Sequence, residues 1–141
     1  MSKLIYQSPT HFKHLMSWWP PYWGTGISVR TLAPDFSAVT IQMKQRFYNR
    51  NAFGTHFGGS LYAMCDPFYA ILLIPQLGPE YLVWDQAAQI DFVKPGRGTV
   101  TAHFEWTSEE IADIRAHTAH GEKYTPSKSL DIMDEEGDVV A

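Results

Sequence analysis

NAFGTHFGGSLYAMCD, residues 51–66, followed by PFYAILLI to Ile74, is the stretch whose reading decides the fold. From Phe57 to Pro79 the only charged side chain is Asp66, set among Leu61, Tyr62, Met64, Cys65, Phe68, Tyr69, Leu72 and Leu73. Apolar residues fall on every face rather than on one stripe, the pattern of a helix wrapped on all sides, so a buried central helix is expected to start at Gly58-Gly59. The first N–H groups of a helix have no intrahelical partner and can face a developing negative charge. Without a Cβ, a ligand can approach that backbone closely.

Asp66 has two readings. In a dry pocket, burial would raise its pKa and make it a base or nucleophile, a carbonyl-handling partner for the glycine donors. Alternatively, Asp66-Pro67 is a helix-start signature, with aspartate as cap and proline at the first helical position. In a continuous helix, Pro67 would free the carbonyl of Ala63 and bend the axis.

Outside this stretch, 141 residues with 45% hydrophobic and 18% charged content suit one domain with one core. A net charge of −4 gives no electrostatic footprint for nucleic acid. No apolar run approaches the roughly 20 residues that cross a bilayer. No signal-peptide pattern opens the chain, and the single cysteine excludes an internal disulfide, so a cytoplasmic location is expected.

Residues 1–25 are expected to form an N-terminal helix and an aromatic loop ahead of a main domain over 26–141. Ser8 to Trp19 reads as an amphipathic helix stopped by Pro20-Pro21, with Trp18, Trp19, Tyr22 and Trp23 expected to pack over the core edge. Gly26 to Leu32 and Ala38 to Phe47 form a hairpin around Ala33-Pro34-Asp35-Phe36. A second hairpin is expected from Tyr81–Val93, with Trp84, Gln86, Ala88, Ile90 and Phe92 on one face, and Gly98–Trp106. Ser108 opens a short capped helix. Lys123 to Met133 reads as a further strand, and Val139-Val140-Ala141 as a short last one. The sum is an α+β fold, an antiparallel sheet curled around one long helix.

The run from Asn51 to Asp66, with the later VWDQAAQIDFVKPGRG, resembles hotdog-fold acyl-CoA thioesterases of the phenylacetyl-CoA thioesterase type. The whole chain is similar to an uncharacterised, domain-of-unknown-function branch of that superfamily. The resemblance implies a homodimer or a dimer of dimers with active sites at the interface, taking a coenzyme A thioester as substrate without a cofactor. It implies that Gly59 or Gly58 offers a backbone N–H to the thioester oxygen. Asp66 is then base or nucleophile, Asn51 holds the water or carboxylate, and Asp85 completes the site from the partner chain. The expected substrate-binding set is His56, Phe57, Tyr62, Trp84, Lys94 and Arg97. Relatives commonly carry histidine directly before the two glycines, where this chain has Phe57 preceded by His56. Binding of an acyl chain or acyl-CoA without hydrolysis is the alternative, since fold alone does not give function.

His117-x-x-His120-x-Glu122 has metal-compatible spacing, but a site needs three or four convergent ligands and this stretch reads as surface; no metal is expected. Cys65 reads as a buried structural thiol. G-x-S-x-G, G-x-G-x-x-G and P-loop signatures are absent from the sequence.

Overall fold

The computed structural model describes residues 3–6 and 8–141; positions 1, 2 and 7 of the expected N-terminal segment lie outside the described residues. After a 3-10 turn at Lys3–Tyr6, helix α1 spans Pro9–Ser17. The Ser8 side chain caps it by accepting from the His11 N–H, and Phe12 and Met16 face inward. Pro20-Pro21 ends this helix and starts the single turn α2, Pro20–Trp23, because proline fits the first helical position. Of the four aromatics here only Tyr22 is buried; Trp18, Trp19 and Trp23 are exposed, which corrects the packing expected for them. So short a turn buries one side chain and leaves its neighbours pointing outward.

The first hairpin forms as expected. Strand β1 is Ile27–Leu32 and β2 is Ala38–Lys44, antiparallel, with an irregularity between Val29 and Thr31. Asp35 Oδ1 holds the turn by accepting from the Ser37 N–H and hydroxyl. The outer edge of β1 is covered by α1: Val29 N–H donates to Ser17 Oγ at 3.2 Å, and Lys13 Nζ donates to the Arg30 carbonyl at 2.7 Å.

The central helix runs through residues 58–77 in two pieces, α3 (Gly58–Ala63) and α4 (Phe68–Leu77), with a turn between them. The break comes where Pro67 demands it, but no side chain caps α4 and Asp66 is exposed, so neither the cap nor the burial expected of it is realised. Pro67 lacks the N–H that would serve the Ala63 carbonyl, and the Tyr22 hydroxyl donates to that oxygen at 3.2 Å. Pro75, inside α4, withdraws the donor for Ile71 in the same way, and the Tyr6 hydroxyl donates to Ile71 at 3.0 Å. Burial pushes the Tyr6 phenol up to about 12 and raises that of Tyr22 further, so both stay protonated donors. Phe68 and Leu72 are completely buried against the sheet, each contributing about 1.5–3 kcal/mol of burial.

Strand β3, Thr99–Glu105, pairs along its whole length with β2, and α5 (Ser108–His117) follows. The capping box of α5 is built by Thr107 and Glu110, one residue earlier than Ser108. Strand β4 is only Ile132–Met133, giving the order β1-β2-β3-β4.

Two expected strands are not formed as hydrogen-bonded elements. Tyr81–Val93 does not pair with β3, so the second hairpin is absent; β2 already occupies one edge of β3, and β4 takes the other. Residues 123–131 are likewise unpaired, though half-buried Tyr124, Pro126, Lys128 and Leu130 alternate with exposed neighbours as strand residues do. Trp84 and Phe92, expected on one face of that strand, are exposed, whereas Phe104 and Trp106 are buried. Val139–Ala141 turns back on β4: Val140 N–H donates to Ile132, Ile132 N–H donates to Ala141, and the Val140 carbonyl accepts from Val93 N–H. A single hydrophobic core contains Phe12, Met16 and Tyr22 together with the sheet and central-helix residues.

Candidate active site

The loop ahead of α3 is built around Asn51. Its Oδ1 accepts from the N–H groups of Phe53 and Thr55, and its Nδ2 donates to Thr55 Oγ1 and the His56 carbonyl. With donors and acceptor both engaged, Asn51 organises the loop. His56 is buried; its backbone N–H donates to Gly96, and its Nε2 lies 2.9 Å from the Gly98 carbonyl and donates to it. Its Nδ1 is buried without a partner, and burial holds the imidazole below its usual pKa, against a smaller opposing effect of the Gly98 bond. Hence His56 is a neutral clamp between this loop and the 94–98 turn, which in turn sets the entry to α3.

Gly58 and Gly59 open α3, where the next two N–H groups, of Ser60 and Leu61, already bond to the Phe57 carbonyl. Neither glycine N–H has a backbone acceptor. Two rings flank the pair: a Cβ on Gly58 would lie 2.9 Å from Phe92 Cζ, and one on Gly59 would lie 2.5 Å from Phe57 Cε1. Both positions therefore need glycine as long as those exposed rings hold their places. Phe57 was expected near the substrate; the placement of Phe92 was not anticipated, and alternation along its segment gave no signal for it.

Asp66 lies at the break of the helix, bordering a cleft of about 1400 Å³ with Tyr62, Cys65, Trp84 and Asp85. Desolvation first, then the nearby charge of Asp66, hold the Asp85 carboxyl above its usual range, so Asp85 neighbours Asp66 of its own chain, whereas the resemblance implied that it reaches the site from the partner chain. Burial pushes the Cys65 thiol up to about 12, leaving it uncharged and unreactive. Asn51, His56, Gly58 and Gly59 do not border this cleft. Asp66 comes seven positions after Gly59, and at about 1.5 Å per helical residue that is about 10 Å along the axis. Donors and carboxylate of one chain therefore cannot meet on one carbonyl.

The cations of the 94–97 turn are partly committed. Lys94 Nζ contacts Asp134 at 2.8 Å and Asp138 at 2.6 Å, while Arg97 Nη1 donates to the Gly54 carbonyl and stays exposed. Asp134, Glu136 and Asp138 form the one grouping of possible metal ligands among the described residues. His117 instead stacks on Tyr124 with ring centroids 4.3 Å apart.

A family model described as a domain of unknown function, DUF4442, matches residues 9–141. The chain belongs to that family. No curated protein matches this DUF4442 chain by sequence. Among solved structures it is similar to a Pseudomonas aeruginosa protein described as of unknown function and a probable thioesterase, at 22% identity and a TM-score of 0.79, covering 94% of this chain and 89% of that one. It is also similar to the PaaI protein of the E. coli phenylacetic acid degradation operon (16% identity, TM-score 0.61, 98% and 89% covered). A Haemophilus influenzae thioesterase matches at 14% identity and a TM-score of 0.65, with 94% and 83% covered. At these identities the likeness carries the fold: the DUF4442 chain is a hotdog domain, its antiparallel sheet wrapped on the central helix as expected. No helix of the described residues is long and apolar enough to cross a membrane.

Proposed function

We propose that this DUF4442 chain is a thioester hydrolase of the acyl-CoA thioesterase kind, working as a homodimer whose sites combine residues of two protomers. The observation that carries this reading is the pair of glycine N–H groups without backbone acceptors at the start of a helix whose only carboxylate, Asp66, stands exposed at its break. Because about 10 Å separates them along one helix, a two-fold arrangement with the glycines of one protomer facing Asp66 of the other brings donors and base onto one thioester.

In that site the Gly58 and Gly59 amides polarise the thioester carbonyl and stabilise the oxyanion, an effect of about 3–4 kcal/mol per well-placed donor. Asp66 takes a proton from the water that attacks the thioester carbon, or attacks that carbon itself to form a mixed anhydride that water then hydrolyses; the carbon–sulfur bond breaks and coenzyme A leaves as the thiol with a proton released by the water. Asp85, whose carboxyl the neighbouring Asp66 charge helps to hold above its usual range, lines the same cleft. Asn51 and His56 position the glycine loop rather than touch substrate. Phe57, Tyr62 and Trp84 offer apolar surface to the acyl group. Arg97 is the freer of the two turn cations for coenzyme A phosphates, since two carboxylates already hold Lys94.

The second reading is an acyl-CoA or fatty-acyl binding protein without turnover. It is favoured by the exposure of Asp66, which leaves the carboxylate without the dry surroundings of an activated base in the single chain.

Thiol release from acetyl-, octanoyl-, palmitoyl- and phenylacetyl-CoA, with wild type and Asp66→Ala both checked for folding, tests the proposal. Hydrolysis should fall by at least about 100-fold in the variant. Full activity in Asp66→Ala sinks the mechanism, and binding without turnover in wild type selects the second reading.

A further inference from the structure

The surface around α2 carries large apolar side chains that the core does not use. Leu15 and Trp18 at the end of α1, Trp19 between the two helices and Trp23 at the end of α2 are all exposed. Trp18 and Trp23 meet edge to face with centroids 5.9 Å apart. After the end of β2, Phe47 and Tyr48 form a second such pair at 5.2 Å. Trp23 and Tyr48 both border one shallow hollow of about 270 Å³, which joins the two pairs into a single patch.

The hollow is cationic. Lys44 and Arg46 border it beside Ser28 and Gln42, no carboxylate does, and neither cation forms an ion pair among the described residues. The chain as a whole carries −4, but over a Debye length of about 8 Å the local charge governs whatever touches the patch. Asn49, itself buried, holds the two sides of the hollow together. Its Nδ2 donates to the Thr25 carbonyl, just after α2, and to the Lys44 carbonyl at the end of β2, while its Oδ1 accepts from the Arg46 N–H.

Exposure and charge select the occupant. Trp18 is 67% exposed, Trp23 61%, Phe47 83% and Tyr48 57%. A small-molecule site encloses most of its ligand, which rings standing this far out of the surface do not do. A second copy docked here across a two-fold axis would lay one cationic hollow on the other, with no carboxylate in either to offset the repulsion. A protein partner would need pockets shaped to the projecting rings, whereas a lipid headgroup layer takes amphipathic rings in any arrangement and supplies phosphates to the cations.

We propose that this patch docks the protein onto the surface of an anionic phospholipid bilayer. Trp18, Trp23, Phe47 and Tyr48 enter the headgroup region, and Lys44 and Arg46 meet lipid phosphates. The chain lies on the bilayer rather than crossing it, in keeping with the lack of any membrane-spanning helix among the described residues. Neither the glycine pair nor Asp66 takes part, so this inference stands or falls independently of thioester hydrolysis.

Cosedimentation of the full chain with phosphatidylcholine vesicles, with and without about one third phosphatidylglycerol, tests the proposal. Wild type should bind the anionic vesicles saturably, about 10-fold or more tightly than the neutral ones, and more weakly as salt rises. Each cation close to an anionic surface contributes about 5-fold, so Lys44→Gln combined with Arg46→Gln should weaken binding by about 25-fold. Lys123→Gln, which removes a cation outside the patch, should weaken it by less than about 2-fold. Trp18→Ser combined with Trp23→Ser should cost about 10-fold or more, with thermal melting confirming the fold; the glutamine pair carries the test if the serine pair does not fold. Absence of saturable binding overturns the proposal, as does equal affinity for neutral and anionic vesicles. An equal loss in Lys123→Gln overturns it by reducing the effect to net charge. A wild-type dimer that dissociates in the serine pair, read by sedimentation, would overturn it by assigning the patch to a second copy of this chain.

Discussion

The Tyr22 hydroxyl donates to the Ala63 carbonyl across 41 positions of sequence, meeting the one acceptor that Pro67 strips from the central helix. Tyr22→Phe leaves that carbonyl unpaired beside the core and should cost about 1–3 kcal/mol in urea unfolding. In a Pro67→Ala background residue 67 regains an N–H that can serve Ala63, so the same substitution should cost measurably less. Equal costs in both backgrounds would mean that tyrosine and proline are not coupled.

Asp85 should report on Asp66. The Asp66 charge is the second cause, after partial burial, of the raised Asp85 pKa, so Asp66→Asn should move the Asp85 titration downward in carboxyl-carbon NMR. The sign for stability follows: a carboxyl whose folded pKa lies above its unfolded value disfavours the folded state once ionised. Asp85→Asn should therefore stabilise at neutral pH, with the gain shrinking as pH falls from the raised folded pKa toward the ordinary 3.8 of a free aspartate. A gain that grows on acidification would contradict this.

His56 acts in the opposite sense. Its folded pKa lies below the ordinary 6.5, so stability is full above that value and is lost as pH falls through it toward the folded pKa. Melting temperature should drop between about pH 7.5 and about pH 5.5 in wild type and drop less in His56→Gln, which keeps a side-chain donor for Gly98. An identical drop in the variant would place the sensitive group elsewhere.

The glycine pair can be tested through its rings. Gly58→Ala puts a methyl group 2.9 Å from Phe92 Cζ, and the exposed ring must move aside. The expected cost is about 1–2 kcal/mol, largely recovered in the Gly58→Ala, Phe92→Ala double variant when both are melted side by side. If removing the phenyl ring recovers nothing, the glycine is required by its backbone instead.

Much of this was legible from residue order. The first hairpin followed from alternation about a proline-aspartate turn, and the freed Ala63 carbonyl followed from the covalent structure of Pro67. That a tyrosine would meet it was not readable, since partners far apart in sequence leave no local trace. Alternation also marked Tyr81–Val93 and 123–131 as extended, but it cannot say whether an extended segment has found a neighbour, and these two have not. For the site, apolar patterning set both glycines at a helix start, while Asp85 came only through the resemblance, and then from a partner chain. Asp66 read as buried because its neighbours are apolar, whereas in a helix bent at Pro67 one position of the turn still opens outward.

The cover on β1 has a bearing on assembly size. With Ser17 and Lys13 occupying the Val29 N–H and the Arg30 carbonyl, strand addition is hindered at this end of the sheet. A sheet with two free margins can add copies head to tail without end, giving filaments. Covering the β1 margin removes one route to such open-ended growth, so any addition of copies along this sheet must use another edge.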